Sequence, residues 1–215
     1  MDGNRRWARA HGTVPLEGHR AGYGKLKEFL NWAREAGIST VILYAFSSEN
    51  WNRSPEEVSY LMKLLQRACE SELEHFKKEN VRMRVIGERT RLPQGVREAI
   101  EHAEEETKNC TGETLVLAIS YGGRGELVRA AQRMCGRTPE EITEESFAAH
   151  LWTNGIPDPD LVIRTSGEQR LSNFLLWQAA YAELFFTKTL WPDFSKDEFF
   201  GMLRQFEERD RRYGA

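Results

Sequence analysis

The sequence predicts an α/β fold: an open, mostly parallel central sheet surrounded by helices. Short apolar runs alternate with longer segments of helical periodicity, which is typical of parallel sheets. The run over residues 38–46 is almost continuously apolar, as expected of a strand covered on both faces. The chain has 215 residues, of which 40% are hydrophobic and 29% charged, so we expect one domain over 1–215.

Four segments have the apolar, β-branched composition of strands. They cover residues 38–46, 81–87, 113–120 and 160–166. Helical periodicity or helix-start signals mark six segments, at about 18–36, 54–80, 94–108, 125–135, 174–186 and 196–210. Three starts carry a Ser/Thr-x-x-Glu capping box, at 54–57, 138–141 and 195–198. The segment 174–186 is apolar on most sides, which favours a buried helix.

Composition excludes several classes of protein. The net charge of −3 lacks the basic excess of nucleic-acid-binding proteins. The three cysteines Cys69, Cys110 and Cys135 form no CxxC motif, so we expect buried, reduced thiols in a cytoplasmic protein. No apolar run is long enough to span a bilayer. The sequence has no GxxxxGK[ST] nucleotide loop, no GxSxG and no HExxH.

Arginines and glycines concentrate in the loops that follow the predicted strands. In open parallel sheets, ligands bind beyond the carboxyl ends of the strands. Guanidinium groups bind phosphate in a forked geometry, and glycines let backbone N–H groups approach it. Each arginine alone is more typical of a solvated surface, but the shared bias predicts a polyanion site. The residues are Arg53, Gly122, Gly123, Arg124, Arg164, Gly167 and Arg170, with Gly3, Arg5 and Arg6 in an opening segment that resembles such a loop without its strand.

Two carboxylates stand out as candidate metal ligands. Asp2 lies among these phosphate binders, where a divalent cation would relieve its repulsion of phosphate. Mg²⁺ suits that position because it takes one or two carboxylates plus substrate phosphates. The alternative is a turn residue in the Asp-Gly pair. Glu183, in an apolar segment, is a second metal ligand, an arginine partner or a member of an ordinary buried ion pair.

Seven stretches occur in order over residues 1–214. They are MDGNRRWA, GHRAG, LYAFSSENWNRSPEEV, SYGGRGEL, LVIRTSGEQRLSNFLLWQAAYAELFF, LWPDF and RDRRYG. Together they resemble the motifs of the cis-prenyltransferases, the undecaprenyl diphosphate synthase family. The resemblance implies a hydrophobic tunnel beside the sheet and a homodimer. It also implies a first strand that ends at MDGN and is therefore missing from this sequence.

The resemblance further implies that isopentenyl diphosphate condenses with an allylic prenyl diphosphate, with Mg²⁺ as cofactor and diphosphate released. Asp2 would hold Mg²⁺, with Glu183 assisting, and either Asn50 or a diphosphate oxygen would take up the proton. DDxxD motifs of trans-type enzymes are absent.

The family's binding residues map onto matching positions of this chain. The allylic diphosphate would be bound by Gly3, Asn4, Arg5 and Arg6, with Trp7 and His19 nearby. The diphosphate of isopentenyl diphosphate would be bound by Arg164, Arg170 and Ser172. A covering segment would include Phe46, Ser47, Ser48, Glu49, Trp51, Arg53 and Glu57, with Tyr121, Gly122, Gly123 and Arg124 beside the site. Arg212 and Gly214 would reach into the neighbouring subunit.

Two positions depart from the family pattern. Pro15 stands where many members carry a second diphosphate-binding arginine, and proline offers neither charge nor donor. Glu113 stands where an apolar residue lines the tunnel floor in long-chain members, although it could equally face solvent. Both leave the product length open.

The resulting prediction is an enzyme that makes a long-chain (about C50–C55) precursor of a glycan carrier lipid, with loose membrane association of a cytoplasmic protein. The alternatives are a short-chain (about C10–C20) synthase, a non-catalytic subunit, and a phosphate-binding module without turnover. Asp2, Arg164, Arg170, Ser172 and Glu183 argue against a non-catalytic subunit.

Overall fold

The computed structural model describes residues 1–209. The chain forms two compact units, each assembled from separate stretches of sequence. The first comprises residues 1–38, 159–170 and the chain from 181 onward, and the second comprises residues 39–158 and 171–180. The prediction of one catalytic domain over 1–215 stays a prediction.

The second unit is built on a three-stranded parallel sheet in the order β1-β3-β2. Its strands are β1 (Thr40–Ser47), β2 (Arg82–Ile86) and β3 (Thr114–Tyr121). Its helices are α3 (Pro55–Ser71), α4 (Leu73–Lys78), α5 (Gln94–Thr107), α6 (Gly123–Arg133) and α7 (Glu144–Ala148). The central strand β3 is buried from Leu115 to Tyr121, which explains its continuous apolar sequence. Thr40 and Arg82, the first residues of β1 and β2, both lie opposite Thr114, the first residue of β3. The three parallel strands therefore begin at the same edge of the sheet.

The first unit contains a two-stranded parallel sheet, in which Leu161 of one strand lies opposite Glu183 of the other. Its strands are β4 (Leu161–Arg164) and β5 (Glu183–Phe186), and its helices are α1 (Asn4–Ala10), α2 (Pro15–Glu35) and α8 (Lys196–Glu207). Its core is aromatic, since Phe29 of α2 packs edge-on against Phe199 of α8 at 5.0 Å and against Trp191 at 5.6 Å. Burial of such rings stabilises the unit that carries both Asp2 and Arg164.

Most predicted elements are confirmed, and the differences have local causes. The four predicted strands are present, but the predicted buried helix over 174–186 is wrong: residues 174–180 form turns and β5 follows. A short apolar run cannot be assigned to helix or strand by periodicity alone. The helix predicted over 54–80 is two helices, α3 and α4, which are separated at Glu72. The capping box at 138–141 starts only a 3₁₀ turn, Pro139–Glu141.

Helices α1 and α7 were not predicted, because both are too short to show periodicity. Cys69 is buried, but Cys135 is exposed on the turn after α6, so the prediction of buried thiols is wrong for Cys135. In the part of the chain that the structure describes, none of the helices combines the length and the apolar character needed to cross a bilayer. The strand expected before Met1 and the hydrophobic tunnel stay predictions.

Candidate active site

The backbone of Asp2 is held in place by residues distant in sequence. Its N–H donates to Thr165 Oγ1 at 3.0 Å, and its carbonyl accepts from that hydroxyl at 2.8 Å and from the N–H of Trp191 at 3.0 Å. Thr165 directly follows β4, and Trp191 begins a 3₁₀ turn. The segment MDGN is therefore fixed at the carboxyl end of β4, where α/β proteins bind ligands.

The Asp2 carboxylate is surrounded by hydrogen-bond donors. Its Oδ1 accepts from the N–H of Gly3 at 2.7 Å, and its Oδ2 accepts from Nη2 of Arg164 at 2.9 Å. Burial alone would raise the pKa of Asp2, but hydrogen bonds from Arg164, Ser166 and Gly3 and the charge of Arg164 outweigh it and lower that pKa. The side chain is still 41% exposed. Asp2 is thus an ionised carboxylate that solvent can reach.

Gly3 is required by its backbone geometry. Its φ of +109° is disfavoured for other residues, and a Cβ there would lie 2.9 Å from Leu190. This turn directs the chain from Asp2 into α1, whose first turn carries Arg5 and Arg6. The Asp-Gly pair therefore has a structural reason that is compatible with a ligand role for Asp2.

Arg6 connects Asp2 with the loop after β4. Its Nη1 donates to the carbonyl of Ser166 at 2.9 Å, and its Nη2 donates to the Ser166 hydroxyl at 2.5 Å. Its charge lies 3.8 Å from Asp2 Oδ2 and 3.3 Å from Glu168 Oε1. Arg170 pairs with Glu168 at 2.7 Å, and its carbonyl accepts from Arg164. We call this group the Asp2 cluster; its members are Asp2, Arg6, Arg164, Thr165, Ser166, Glu168 and Arg170.

Helix α2 supports the Asp2 cluster by packing closely on α1. A Cβ at Gly18 would lie 2.1 Å from the carbonyl of Asn4, and one at Gly22 would lie 2.4 Å from Asn4 Oδ1. His19 is buried beside this contact. The GHRAG motif therefore has a packing reason for both of its glycines. Trp7 is also held, because its indole N–H donates to Asp193 Oδ1 at 2.7 Å.

In the other unit, Asn173 joins two of the predicted substrate-binding segments. Its Nδ2 donates to Glu49 Oε1 at 2.9 Å, its Oδ1 accepts from the N–H of Arg124 at 2.8 Å, and its carbonyl accepts from the N–H of Gly123 at 2.8 Å. A Cβ at Gly122 would lie 2.7 Å from Asn173 Nδ2. We call this group the Asn173 cluster; its members are Ser48, Glu49, Gly122, Gly123, Arg124 and Asn173.

The predicted covering segment begins with a 3₁₀ helix, Ser48–Asn52, directly after β1. Asn50 Oδ1 accepts from the N–H of Ser47 at 3.1 Å, which caps this helix. Trp51 donates to Ser120 Oγ at 2.9 Å and packs edge-on against the buried ring of Phe46 at 5.0 Å. These contacts hold the segment against the end of β3.

Arg53 and Glu57 form an ion pair of 3.0 Å at the start of α3. Ser54, between them in sequence, caps α3 by accepting the N–H of Glu57. Both predicted binding residues therefore contribute to the local structure of this helix start.

Helix α6 carries a fully buried acid, Glu126, in its first turn. Its carboxylate accepts from the Tyr121 hydroxyl at 2.6 Å, from Gln178 Nε2 at 3.1 Å and from the N–H of Trp152 at 2.8 Å. Gln178 also donates to Thr153 at 2.7 Å. Because Gln178 belongs to the segment 171–180, this network anchors the segment that carries Ser172 and Asn173.

The remaining predicted residues are placed as follows. Glu183 is the first residue of β5, not part of a helix, and it pairs with Arg209. That pair matches the arginine-partner alternative for Glu183, but it is exposed, so the buried ion pair is wrong. A role of Glu183 toward a metal stays a prediction. Pro15 begins α2, and Glu113 immediately precedes β3. Ser172 has a left-handed backbone, with φ +49°. Arg212 and Gly214 lie outside the described residues.

No group of three or more His, Cys, Asp or Glu residues that could hold a metal ion occurs within residues 1–209. Mg²⁺ takes one or two carboxylates together with phosphate oxygens of a substrate. The exposed Asp2 oxygen fits that ligand set.

The sequence analysis missed four residues that make contacts within one cluster or the other. Thr165, Ser166 and Glu168 belong to the Asp2 cluster, and Asn173 belongs to its own cluster. All four lie within the stretch LVIRTSGEQRLSNFLLWQAAYAELFF. The signal available for Asn173 was weak: asparagine is enriched at positive φ, and this residue follows a serine in a predicted loop. Nothing in the sequence indicated that Ser166 would contact Arg6.

Comparison with known proteins decides the family. Residues 1–214 match the sequence model of the family described as "Putative undecaprenyl diphosphate synthase". The chain belongs to the undecaprenyl diphosphate synthase family. Family members with the name isoprenyl transferase include one from Rhizobium meliloti, 50% identical over 100% of this chain and 90% of its own, and one from Thermotoga maritima, 43% identical over 100% and 94%.

Two solved structures of the family have the same fold. Lavandulyl diphosphate synthase from Lavandula x intermedia, in complex with dimethylallyl diphosphate, is similar with a TM-score of 0.95 and 35% identity over 100% of this chain and 95% of its own. A probable undecaprenyl diphosphate synthase from Campylobacter jejuni has a TM-score of 0.81 and 40% sequence identity, over 91% of this chain and 93% of its own. The predicted open, mostly parallel sheet with surrounding helices is confirmed, and so is the prediction of a prenyl-transferring enzyme with cis-prenyltransferase activity.

Proposed function

We propose that this enzyme extends an allylic prenyl diphosphate with isopentenyl diphosphate to a long-chain Z-polyprenyl diphosphate of about C50–C55, the precursor of a glycan carrier lipid. The observation that carries the proposal is the Asp2 cluster, in which one exposed, ionised carboxylate lies beside Arg6 and Arg164. The long product is supported by the bacterial relatives named isoprenyl transferase at 43–50% identity.

Asp2 is the proposed Mg²⁺ ligand, together with oxygens of the substrate. Bound Mg²⁺ would neutralise the negative charge that develops on a leaving diphosphate. Arg6 would bind the allylic diphosphate, with the backbone of Gly3 and Asn4 and the side chains of Arg5 and His19 nearby. The resemblance to the family makes Arg164, Arg170 and Ser172 the proposed ligands of isopentenyl diphosphate. Preorganised charges of this kind stabilise the negative charge that develops in the transition state more strongly than they stabilise the bound substrate.

The reaction breaks the allylic C–O bond and releases diphosphate. The double bond of isopentenyl diphosphate supplies the electron pair for the new C–C bond, and one proton is then lost to form the Z double bond. A diphosphate oxygen is the better proton acceptor of the two candidates. The amide of Asn50 is a poor base, and its Oδ1 already accepts the N–H of Ser47. Asn50 would then act by shaping the covering segment, with Trp51, Arg53 and Glu57.

A short-chain product of about C10–C20 is the second candidate. It is favoured by Pro15, which begins α2 without offering a charge where an arginine would strengthen the grip on diphosphate. The similarity to lavandulyl diphosphate synthase also supports it.

We also propose a homodimer, in which Arg212 and Gly214 would reach the neighbouring subunit. Tyr181 is 79% exposed and Leu184 is an exposed apolar residue of β5, which supports an interface in this region. A long, oily product would require loose contact with a membrane surface.

The test is incubation with Mg²⁺, labelled isopentenyl diphosphate and separate dimethylallyl, geranyl and farnesyl diphosphate starters, with products sized by mass spectrometry. Addition of many isoprene units supports the long-chain proposal. Addition of one or two units overturns it in favour of the short-chain synthase. Parallel reactions with EDTA report the metal requirement, and undiminished turnover in EDTA would contradict the role proposed for Asp2.

A further inference from the structure

We propose that Ser166 is a positioning residue, whose carbonyl and hydroxyl orient the Arg6 guanidinium for binding of a substrate diphosphate. The inference rests on the proposed function, because it assigns Arg6 to a diphosphate. It concerns a residue with no assigned role in the site.

Ser166 has a backbone conformation that disfavours serine. Its φ of +83° lies in the left-handed region, where a side chain costs free energy and glycine does not. The next residue, Gly167, has nearly the same φ of +81° and is a glycine. Strained residues persist where the surrounding structure holds them, and they concentrate at functional sites. A serine in this place therefore needs a reason that glycine would not satisfy.

The contacts of Ser166 supply that reason. Arg6 forks onto it, with Nη1 2.9 Å from the carbonyl and Nη2 2.5 Å from the hydroxyl oxygen. The same hydroxyl is one of the groups that lower the pKa of the Asp2 carboxylate. A hydroxyl can donate one hydrogen bond while it accepts others, so it can serve both charged groups at once. Glycine would keep the carbonyl contact and lose the other two.

Ser166 is itself held rigidly. It is 4% exposed, and its N–H donates to the carbonyl of Thr189 at 2.7 Å. The N–H of Gly167 donates to the carbonyl of Thr187 at 2.6 Å. Both threonine hydroxyls donate to Glu198 near the start of α8. The fork on Arg6 is thus connected to a helix start through two backbone hydrogen bonds and two threonine side chains.

Arg6 keeps capacity for a ligand. Guanidinium has five N–H donors, of which two are used on Ser166. The side chain is 45% exposed, so a diphosphate can reach the remaining donors. An arginine with a fixed plane loses less conformational entropy when it binds a phosphate.

The test compares two variants, Ser166→Gly and Ser166→Ala. Both delete the hydroxyl, but only glycine removes the backbone strain, so Ser166→Gly should melt about 2–4 °C above Ser166→Ala. If the hydroxyl positions Arg6, both variants should raise KM for the allylic diphosphate by a similar factor, roughly tenfold, because a hydrogen bond to a charged group is lost. Unchanged KM in both variants overturns the proposal. Activity that follows the melting temperature, with Ser166→Gly close to wild type, also overturns it.

A binding arm separates this proposal from the proposed function. Calorimetry with inorganic diphosphate and Mg²⁺ measures the site without turnover. If the wild-type protein makes no product but binds diphosphate, the proposed function fails, and a similar weakening of binding in both variants still supports the role of Ser166. If the wild-type protein does not bind diphosphate, both proposals are overturned.

Discussion

The Asp2 cluster and the Asn173 cluster hold residues of the same motif in different ways. The Asp2 cluster contains three guanidiniums and two carboxylates, and four ion pairs join these charged groups. The Asn173 cluster is held by one side-chain amide, which contacts Glu49 and the backbone at Arg124. Its other contacts include the hydrogen bond from Ser48 Oγ to Glu49 Oε2, a backbone hydrogen bond and the close approach of Gly122.

The difference shows which cluster is held mainly by charged groups and which by the fit of one amide. Exposed guanidiniums that are paired with carboxylates can exchange those partners for a diphosphate, since phosphate oxygens accept the same forked hydrogen bonds. An amide wedged between a loop and a helix start has no such substitute. We therefore expect substitutions in the Asp2 cluster to affect chemistry more than folding, and substitutions around Asn173 to affect both.

The largest effect is expected for Asp2→Asn. The amide has the shape of the carboxylate and can still accept from Arg164, so the melting temperature should stay close to that of the wild type. Activity should fall by about 10²–10³-fold, as when a preorganised electrostatic group is removed. Steady-state rates of diphosphate release at saturating Mg²⁺ measure this. Asp197→Asn, at an exposed acid in the first turn of α8, is the matched control and should behave as wild type. More than half of the wild-type rate in Asp2→Asn would remove Asp2 from the proposed mechanism.

A smaller effect is expected for Asn173→Asp. This change places a second carboxylate at the position that now donates to Glu49, 2.9 Å away. Activity at pH 8 should fall roughly tenfold, with a loss of stability of about 1–3 kcal/mol. Repulsion raises the pKa of the pair, so the penalty is fully present at high pH and lessens as the pH falls through that raised pKa.

The compensating variant is Asn173→Asp combined with Glu49→Gln. In this double variant the new glutamine amide at position 49 can donate to the new carboxylate at position 173, so the hydrogen bond is restored in the opposite direction. The melting temperature and the rate at pH 8 should both recover. An equally large defect in the single and the double variant would show that the contact between Asn173 and Glu49 does not hold the cluster.

The smallest effect on activity is expected for Tyr121→Phe. It removes one of the three donors to the buried Glu126 carboxylate and leaves the ring in place. Unfolding free energy from urea titration should fall by about 1–3 kcal/mol, the cost of leaving a buried acceptor unsatisfied. The rate should stay within about threefold of wild type at 25 °C, because the network contacts the segment 171–180 at Gln178 and not at Ser172 or Asn173. A rate loss without a stability loss would instead give Tyr121 a direct part in the reaction.

Much of the fold could be predicted because it follows from local patterns. Strands β1 and β3 have continuous apolar runs. Helices α3 and α8 start with Ser54 and Ser195, which both cap by their side chains. The residues of the Asp2 cluster could be predicted in part for the same reason, since Arg164 and Arg170 follow a strand. The segment 174–186 could not be predicted, because its apolar residues suit a buried helix as well as the turns and the strand β5 that it forms.

By itself, the sequence determined four of the strands, most of the longer helices, the family motifs and the kinds of side chain that could bind diphosphate and Mg²⁺. The tertiary structure alone decided which of these side chains meet. Asp2 and Arg164 are 162 residues apart, and Arg6 and Ser166 are 160 apart, so no local pattern records these contacts. The left-handed backbone of Ser166 is likewise set by its hydrogen bond to Thr189 and by Arg6, not by the preference of serine. Hydrogen bonds between distant segments and the backbone strain they support depend on packing, which is determined only when the whole chain has folded.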